Sequence, residues 1–203
     1  MVMSSALIVV VRLNMPGLAF RFHIAFIDPI VVLHVLPRNI VPLAKKEVYD
    51  YPVVGIFPKL WGVIQVRREE VDRRAVQQVL EVLRTGEIVL VAPEGTRGPS
   101  QSEGKEGVAF LGSRSGVPIV PVAIDGTEGF PALRFTSAWR QPGAVVNFGR
   151  PFRFRPDLTR PGRAELRKMT DEAMYILAEM LPPHRRGVYE ELSNATQDTI
   201  EWL

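Results

Sequence analysis

The feature that most constrains the fold is the alternation of short, uninterrupted apolar runs with amphipathic stretches. Residues 88–92 and 118–124 are rich in β-branched side chains and too short for helices, which is typical of strands buried on both faces of a parallel sheet. Ahead of them, residues 71–83 repeat apolar side chains at helical spacing and so predict an amphipathic helix. The pattern therefore predicts an α/β fold, a single domain with a largely parallel central sheet flanked by helices.

The remaining patterns extend this organisation over the whole chain, whose 203 residues suit one domain. The polar tail from residue 184 onward is expected to form one loose helix. We expect a single domain over residues 1–203, with a motif-bearing core at about 6–150 and a C-terminal helix and tail at 161–203. Further strands are predicted at 6–11, 40–43, 63–66 and 144–148, and further helices at 30–36, 107–115 and 166–180.

The composition excludes several kinds of catalytic and cofactor site. Cysteine is absent, which rules out a thiolate nucleophile, a disulfide framework and a cysteine-ligated metal. Only three histidines are present, which argues against a histidine-rich metal centre. No Gly-x-Gly occurs, Gly98 and Gly104 lie one residue too far apart for a Walker A loop, and Arg114 stands where a nucleophile elbow needs serine. Dinucleotide, P-loop and serine-hydrolase sites are therefore not expected.

One candidate for acid–base chemistry is the pair His23 and Asp28, separated by four residues. A histidine that accepts a proton needs a carboxylate to fix its tautomer and stabilise the imidazolium. On a regular helix this spacing would turn the two side chains well apart, so they meet only if the backbone changes from loop to helix between them. Pro29 makes such a change plausible, and the alternative is a histidine with a structural role.

A second candidate is the run from Pro93 to Arg97, directly after the predicted strand 88–92. In α/β folds, ligands bind at the carboxyl ends of strands, where loops expose backbone N–H groups. Gly95 permits close backbone approach, and Arg97 offers a forked donor to a phosphate. The alternative is a turn with a surface Glu–Arg pair.

These residues resemble the glycerolipid acyltransferase family, the 1-acylglycerol-3-phosphate (lysophosphatidate) acyltransferases. Four blocks match that family in the same order, and the resemblance spans about residues 6–150, most of the chain. Lys105 also falls where the family commonly has lysine after its third block. The matching blocks are residues 23–28, 62–68, 93–97 and 117–122.

The resemblance implies that a fatty acyl group is transferred from a thioester, acyl-CoA or acyl-carrier protein, to the hydroxyl of a lysophospholipid acceptor. His23 would take the hydroxyl proton and Asp28 would hold the imidazole. Arg68, Arg97 and Lys105 would bind the acceptor phosphate, while Glu94 would order its loop or bind an acceptor hydroxyl. The resemblance adds Gly95 and Thr96 to the substrate-binding loop and implies neither a metal nor a cofactor beyond the acyl donor.

Two alternatives to this function remain open. The first is the same chemistry on another acceptor, such as a glycerol phosphate or a different lysophospholipid. The second is a non-catalytic lipid-phosphate binder, which is favoured by Phe22 standing where the family usually has asparagine before the histidine.

The charge distribution has two interpretations, a solvated basic surface or a face that contacts an anionic membrane, and the lipid-like acceptor that the resemblance implies favours peripheral membrane contact. Residues 1–68 carry eight Lys or Arg against three Asp or Glu, interspersed with Phe and Trp. Basic groups near an anionic surface contribute about 1 kcal/mol each, although the aromatic side chains could equally belong to the core. No apolar run reaches the roughly 20 residues that span a bilayer, and no nucleic-acid-binding pattern is present. We expect a cytoplasmic protein, peripheral at the inner face of the cell membrane, with no nucleic acid as partner.

Overall fold

A computed structural model describes residues 17–21, 28–36, 38–46, 49, 61–67, 72–94, 99–126 and 145–203. Its central feature is a run of five parallel strands in the order β3-β2-β4-β1-β5. The predicted parallel sheet is confirmed. The strands are β1 (Gly17–Arg21), β2 (Ile40–Lys45), β3 (Ile64–Val66), β4 (Ile88–Val91) and β5 (Ile119–Asp125).

Three antiparallel strands extend this sheet beyond β5. They are β6 (Val145–Phe148), β7 (Phe152–Phe154) and β8 (Ile200–Trp202). Both β6 and β7 pair with β5, at different points along it, and β8 pairs with β7. The C-terminal part of the chain thus completes the same sheet that the N-terminal part begins.

In the described ranges, four helices cover the sheet: α1 (Asp28–Val35), α2 (Arg73–Arg84), α3 (Gly107–Ser115) and α4 (Arg163–Glu179). The Asp72 carboxylate caps α2 by accepting a hydrogen bond from the backbone N–H of Ala75 at 3.0 Å. Helix α3 ends at Gly116, whose φ of 64° is the left-handed conformation that favours glycine at this position. The four helices predicted before the tail are confirmed: the one at 107–115 has its predicted ends, and the other three differ from the prediction by one to three residues at each end.

Alternation along the strands sends side chains into two apolar clusters, one on each face of the sheet. On β4, Ile88 and Leu90 join the cluster that also contains Val32 of α1. Val89 and Val91 point to the opposite face, where they join side chains of α2, α3 and α4. The sheet is therefore buried between helices on both faces, which explains why its strands read as continuous apolar runs.

The first described strand is β1, at Gly17–Arg21, which the sequence did not predict and which ends two positions before His23. The predicted strand at 6–11 lies outside the described residues. β1 pairs with β4 on one side and β5 on the other. A five-residue strand that opens on glycine carries too little local pattern to be recognised, and its two neighbours supply the hydrogen bonds that define it.

The prediction of a loose helix in the tail was wrong. Residues after α4 form three short 3₁₀ turns and then β8. The tail is held by pairing with β7 and by hydrogen bonds to α4, contacts that local periodicity does not encode.

Candidate functional site at the carboxyl edge of the sheet

The segments predicted to carry chemistry follow strands that end at one edge of the sheet. Parallel strands bring their carboxyl ends together, and here Phe20 near the end of β1 pairs with Val91 at the end of β4. In the sequence, His23 follows β1 by two residues, Arg68 follows β3 by two, and Glu94 follows β4 by three. Of the predicted site residues, His23, Arg68, Gly95, Thr96 and Arg97 lie outside the described residues, whereas Asp28, Glu94 and Lys105 lie within them.

Asp28 is the first residue of α1 and is completely buried. The N-terminus of a helix carries a partial positive charge, which favours a carboxylate at this position. Asp28 therefore lies in the first turn of α1, and its predicted partner His23 precedes the described helix by five positions.

Glu94 is buried, and its two carboxylate oxygens differ in their hydrogen bonding. Only 4% of the residue is exposed. Its Oε2 accepts hydrogen bonds from the backbone N–H and the hydroxyl of Ser102, both at 3.1 Å, while Oε1 has no hydrogen-bond partner among the described residues. Burial raises the pKa of Glu94 above its ordinary value, against the opposing effect of the two Ser102 bonds. Such a carboxylate has one oxygen left to accept a hydrogen bond from a ligand.

Lys105 is brought to the same loop by its backbone. Its N–H donates to the carbonyl of Pro93 at 2.9 Å, which ties residue 105 to the residue before Glu94. The Lys105 side chain is exposed. The two described residues of the predicted substrate-binding set, Glu94 and Lys105, therefore belong to one hydrogen-bonded unit.

Sequence reasoning missed the partners that hold this unit. Ser102 binds Glu94 across eight residues, with no periodicity that would reveal the pair. The hydroxyl of Tyr189 accepts a hydrogen bond from the N–H of Gly104 at 3.1 Å and donates to Asp171 at 3.2 Å. Burial is the main cause that raises the pKa of Tyr189 to about 12, so the phenol remains protonated. No signal in the sequence connects residue 189 to this loop.

Other features of the described residues add no second site. A cavity of about 590 Å³ lies between α4 and the tail, but none of the predicted site residues lines it. Its cationic side chains, Arg167 and Lys168, form ion pairs with Asp171 and Asp198. Within the part of the chain that the structure describes, no group of His, Asp or Glu side chains could hold a metal ion. None of the helices described there is long and apolar enough to cross a membrane.

Comparison with known proteins adds the family and the fold. The protein-family model described as Acyltransferase matches residues 10–125. Among curated proteins, the 1-acyl-sn-glycerol-3-phosphate acyltransferase of Borreliella burgdorferi is 32% identical over 112 residues, covering 53% of this chain and 45% of that protein. The protein of the same name from Bacillus subtilis is 30% identical over 105 residues, covering 51% and 53%. The chain thus spans about half the length of these relatives.

Among solved structures, the 1-acyl-sn-glycerophosphate (LPA) acyltransferase PlsC from Thermotoga maritima is similar in fold. The two chains share 24% sequence identity and superpose with a TM-score of 0.58. The match covers 90% of this chain and 68% of that one.

Proposed function

This chain belongs to the acyltransferase family, and from that premise we propose that it transfers a fatty acyl group from a thioester to the free hydroxyl of 1-acylglycerol-3-phosphate. The donor is acyl-CoA or acyl-carrier protein. This acceptor is supported by the two curated relatives, which are both 1-acyl-sn-glycerol-3-phosphate acyltransferases. The reaction needs no metal and no cofactor other than the donor itself.

His23 is the proposed general base. An alcohol is a weak nucleophile at neutral pH, so the imidazole takes its proton as the oxygen attacks the thioester carbonyl. The new C–O bond forms, the C–S bond breaks, and the imidazolium returns the proton to the leaving thiolate. Asp28, buried at the start of α1, holds the imidazole and stabilises its charged form. Attack is direct, without an acyl-enzyme.

The acceptor is held by residues that follow the other strands. Arg68, Arg97 and Lys105 bind its phosphate, and the Gly95–Thr96 backbone approaches it closely. Glu94 binds the acceptor with its available oxygen, since Oε2 is already occupied by Ser102. Guanidinium groups suit this role because each can donate two parallel hydrogen bonds to a phosphate.

The observation that carries the proposal is the common edge: predicted site residues follow parallel strands whose carboxyl ends lie together, and Glu94 is buried there with one carboxylate oxygen unpaired among the described residues. The test is turnover of labelled acyl-CoA or acyl-carrier protein with lysophosphatidate. We expect His23→Ala to fold normally and to lose roughly 10²–10⁴-fold in turnover. Full activity in this variant would contradict the mechanism, and acceptor binding without turnover in the wild type would favour a non-catalytic lipid-phosphate binder.

The phosphate site is tested separately. The variants Arg97→Lys and Arg68→Lys keep the positive charge but lose the pair of parallel N–H donors of the guanidinium. We therefore expect the KM for lysophosphatidate to rise while the KM for the donor stays constant. Exposed Arg84→Lys on α2 is the matched control. Equal KM values in all three variants would place the phosphate elsewhere.

Peripheral membrane contact is part of the proposal, because the acceptor and product partition into lipid. The basic segment 1–68 is the proposed face, at the inner side of the cell membrane. Vesicles containing anionic lipid should sediment the protein, and added salt should release it, since charges are screened over about 10 Å at 0.1 M. Equal binding to neutral vesicles would argue against this face.

A further inference from the structure

The position of Glu94 depends on the segment formed by residues 99–105. Ser102, in the middle of this segment, gives both hydrogen bonds that the carboxylate receives. Three residues later, Lys105 binds the carbonyl of Pro93 through its backbone N–H. The segment forms neither helix nor strand, so its own backbone does not hold it in place. Whatever holds it also places the Glu94 carboxylate.

The C-terminal tail holds the first half of this segment. The N–H of Gln101 donates to the carbonyl of Arg185 at 2.8 Å, and the N–H of Val188 donates to the carbonyl of Gln101 at 3.3 Å. Between them, Gly187 has a φ of +53°, and a Cβ there would lie 1.9 Å from the Gln101 carbonyl oxygen. Only glycine allows the tail to approach so closely.

The guanidinium of Arg185 connects this contact to the sheet. Its Nη1 donates to the carbonyl of Pro99 at 2.9 Å, and its Nη2 lies 3.4 Å from Oδ1 of Asp125, at the carboxyl end of β5. The side chain is only 14% exposed. A planar fork can serve two acceptors at once, whereas an ammonium group is a single point charge. Arg185 therefore fixes the segment relative to the strand end where the predicted site lies.

We propose that Arg185 is a positioning residue for Glu94: from the tail, it holds segment 99–105 against the carboxyl end of β5, and Ser102 of that segment holds the carboxylate. The effect of Arg185 on acceptor binding rests on the proposed function, in which the available oxygen of Glu94 binds lysophosphatidate. Loss of Arg185 then weakens acceptor binding and leaves the donor and the proton-transfer pair untouched.

The adjacent arginine provides a matched control. Nε of Arg186 donates to the carbonyls of Ala178 and Leu181, both at 3.1 Å, and none of its hydrogen bonds reaches segment 99–105. We expect Arg185→Ala to raise the KM for lysophosphatidate roughly tenfold, which corresponds to the loss of about one hydrogen bond between Glu94 and the acceptor. The KM for the donor, and kcat at saturating acceptor, should stay within about twofold. Arg185→Lys should fall between wild type and Arg185→Ala, and Arg186→Ala should keep the wild-type KM.

Amide hydrogen exchange tests the same link without any turnover. We expect the N–H groups of Gln101, Ser102 and Lys105 to exchange faster in Arg185→Ala than in Arg186→Ala. Each variant is measured the same number of degrees below its own melting temperature, so that a difference in global stability does not account for the result. Unchanged exchange in segment 99–105, or a KM change in Arg186→Ala equal to that in Arg185→Ala, would overturn the proposal. If Arg185→Ala does not fold, the same two measurements on Arg185→Lys decide. If the wild type neither binds nor acylates lysophosphatidate, the proposed function fails, and exchange alone decides whether Arg185 places Glu94.

Discussion

Among the described residues, the parallel region and the C-terminal region each bury one glutamate, and the two carboxylates differ in their hydrogen bonds. Glu172 of α4, 1% exposed, receives four hydrogen bonds. Oε1 accepts from the hydroxyl of Thr196 at 2.6 Å and the N–H of Asp198 at 3.0 Å, and Oε2 accepts from the N–H and hydroxyl of Thr199 at 2.9 and 2.5 Å. Glu94, beyond β4, receives two bonds on one oxygen and none on the other among the described residues.

The difference separates a fully hydrogen-bonded structural carboxylate from one whose second oxygen has no partner in the described part of the chain. Burying a charge is costly unless it is well hydrogen-bonded, and Glu172 meets that condition with groups of the tail that would otherwise lack partners. Glu94 meets it only in part, which is why burial raises its pKa. A half-satisfied buried carboxylate at a strand end is the arrangement expected of a binding group, whereas a fully satisfied one ties two parts of the fold together.

The strongest test of this comparison is removal of the structural carboxylate. Glu172→Leu keeps a similar volume but leaves the backbone N–H groups of Asp198 and Thr199 without their acceptor. Each buried donor left unpaired costs about 1–3 kcal/mol, so the free energy of unfolding should fall by about 3–5 kcal/mol in urea denaturation. Glu179→Leu, at an exposed position of the same helix, is the control and should stay within about 0.5 kcal/mol. Equal losses in both variants would mean that Glu172 does not hold the tail.

The next test concerns the contact between the two regions. Gly187→Ala introduces a methyl group against the Gln101 backbone, whereas Gly116→Ala, at a similar φ of +64°, meets nothing within 4 Å. Left-handed backbone costs a non-glycine residue about 1–2 kcal/mol, and overpacking adds about 1–3. Thermal or urea unfolding should show Gly187→Ala to be the less stable by at least about 1 kcal/mol. Equal losses of stability in Gly187→Ala and Gly116→Ala would show that the tail accommodates the added methyl group without strain.

A smaller effect is expected when the Glu94 charge is removed. Glu94→Gln keeps an acceptor for Ser102, so stability should change by no more than about 1 kcal/mol, the net value of one hydrogen bond. Because the pKa of Glu94 is raised in the folded state, the folded protein binds this proton more tightly than the unfolded chain does. The stability of the wild type therefore falls as the pH rises from the ordinary carboxyl pKa, about 4.3, through the raised pKa. The variant should lack this dependence, so its stability relative to wild type should increase over that range. A constant difference across the pH range would contradict the raised pKa.

The smallest effect is expected at an ion pair on the surface of the C-terminal region. Arg153 binds Glu201 through two hydrogen bonds, of 3.0 and 2.6 Å, between β7 and β8, and both side chains are about two-fifths exposed. Solvent screens such a pair, so Arg153→Gln should leave the melting temperature and the acceptor KM close to wild type. A clear loss of stability that persists at high salt would show that this ion pair, like Glu172, holds the tail in place.

Local pattern was sufficient to predict the elements that lie deep in the fold. The continuous apolar run of β4, buried at all four positions, and the stripe of Ala75, Val79 and Leu83 on α2 were recognisable because burial on both faces or on one face leaves a fixed period in the sequence. The same patterns predicted that the run from Pro93 to Arg97 follows a parallel strand, and so that it lies at the carboxyl edge of the sheet.

Only the tertiary structure revealed how that edge is held. β7 and β8 are three residues each and pair across 48 positions of sequence, too short and too distant for periodicity to report. The bonds from Ser102 to Glu94 and from Arg185 to Pro99 depend on a close approach at Gly187 that no local propensity encodes. Sequence by itself determines which segments bury apolar surface and in what order, because each segment carries that information locally. Which polar groups meet is decided by packing, because each such bond joins residues whose separation is set by the fold as a whole.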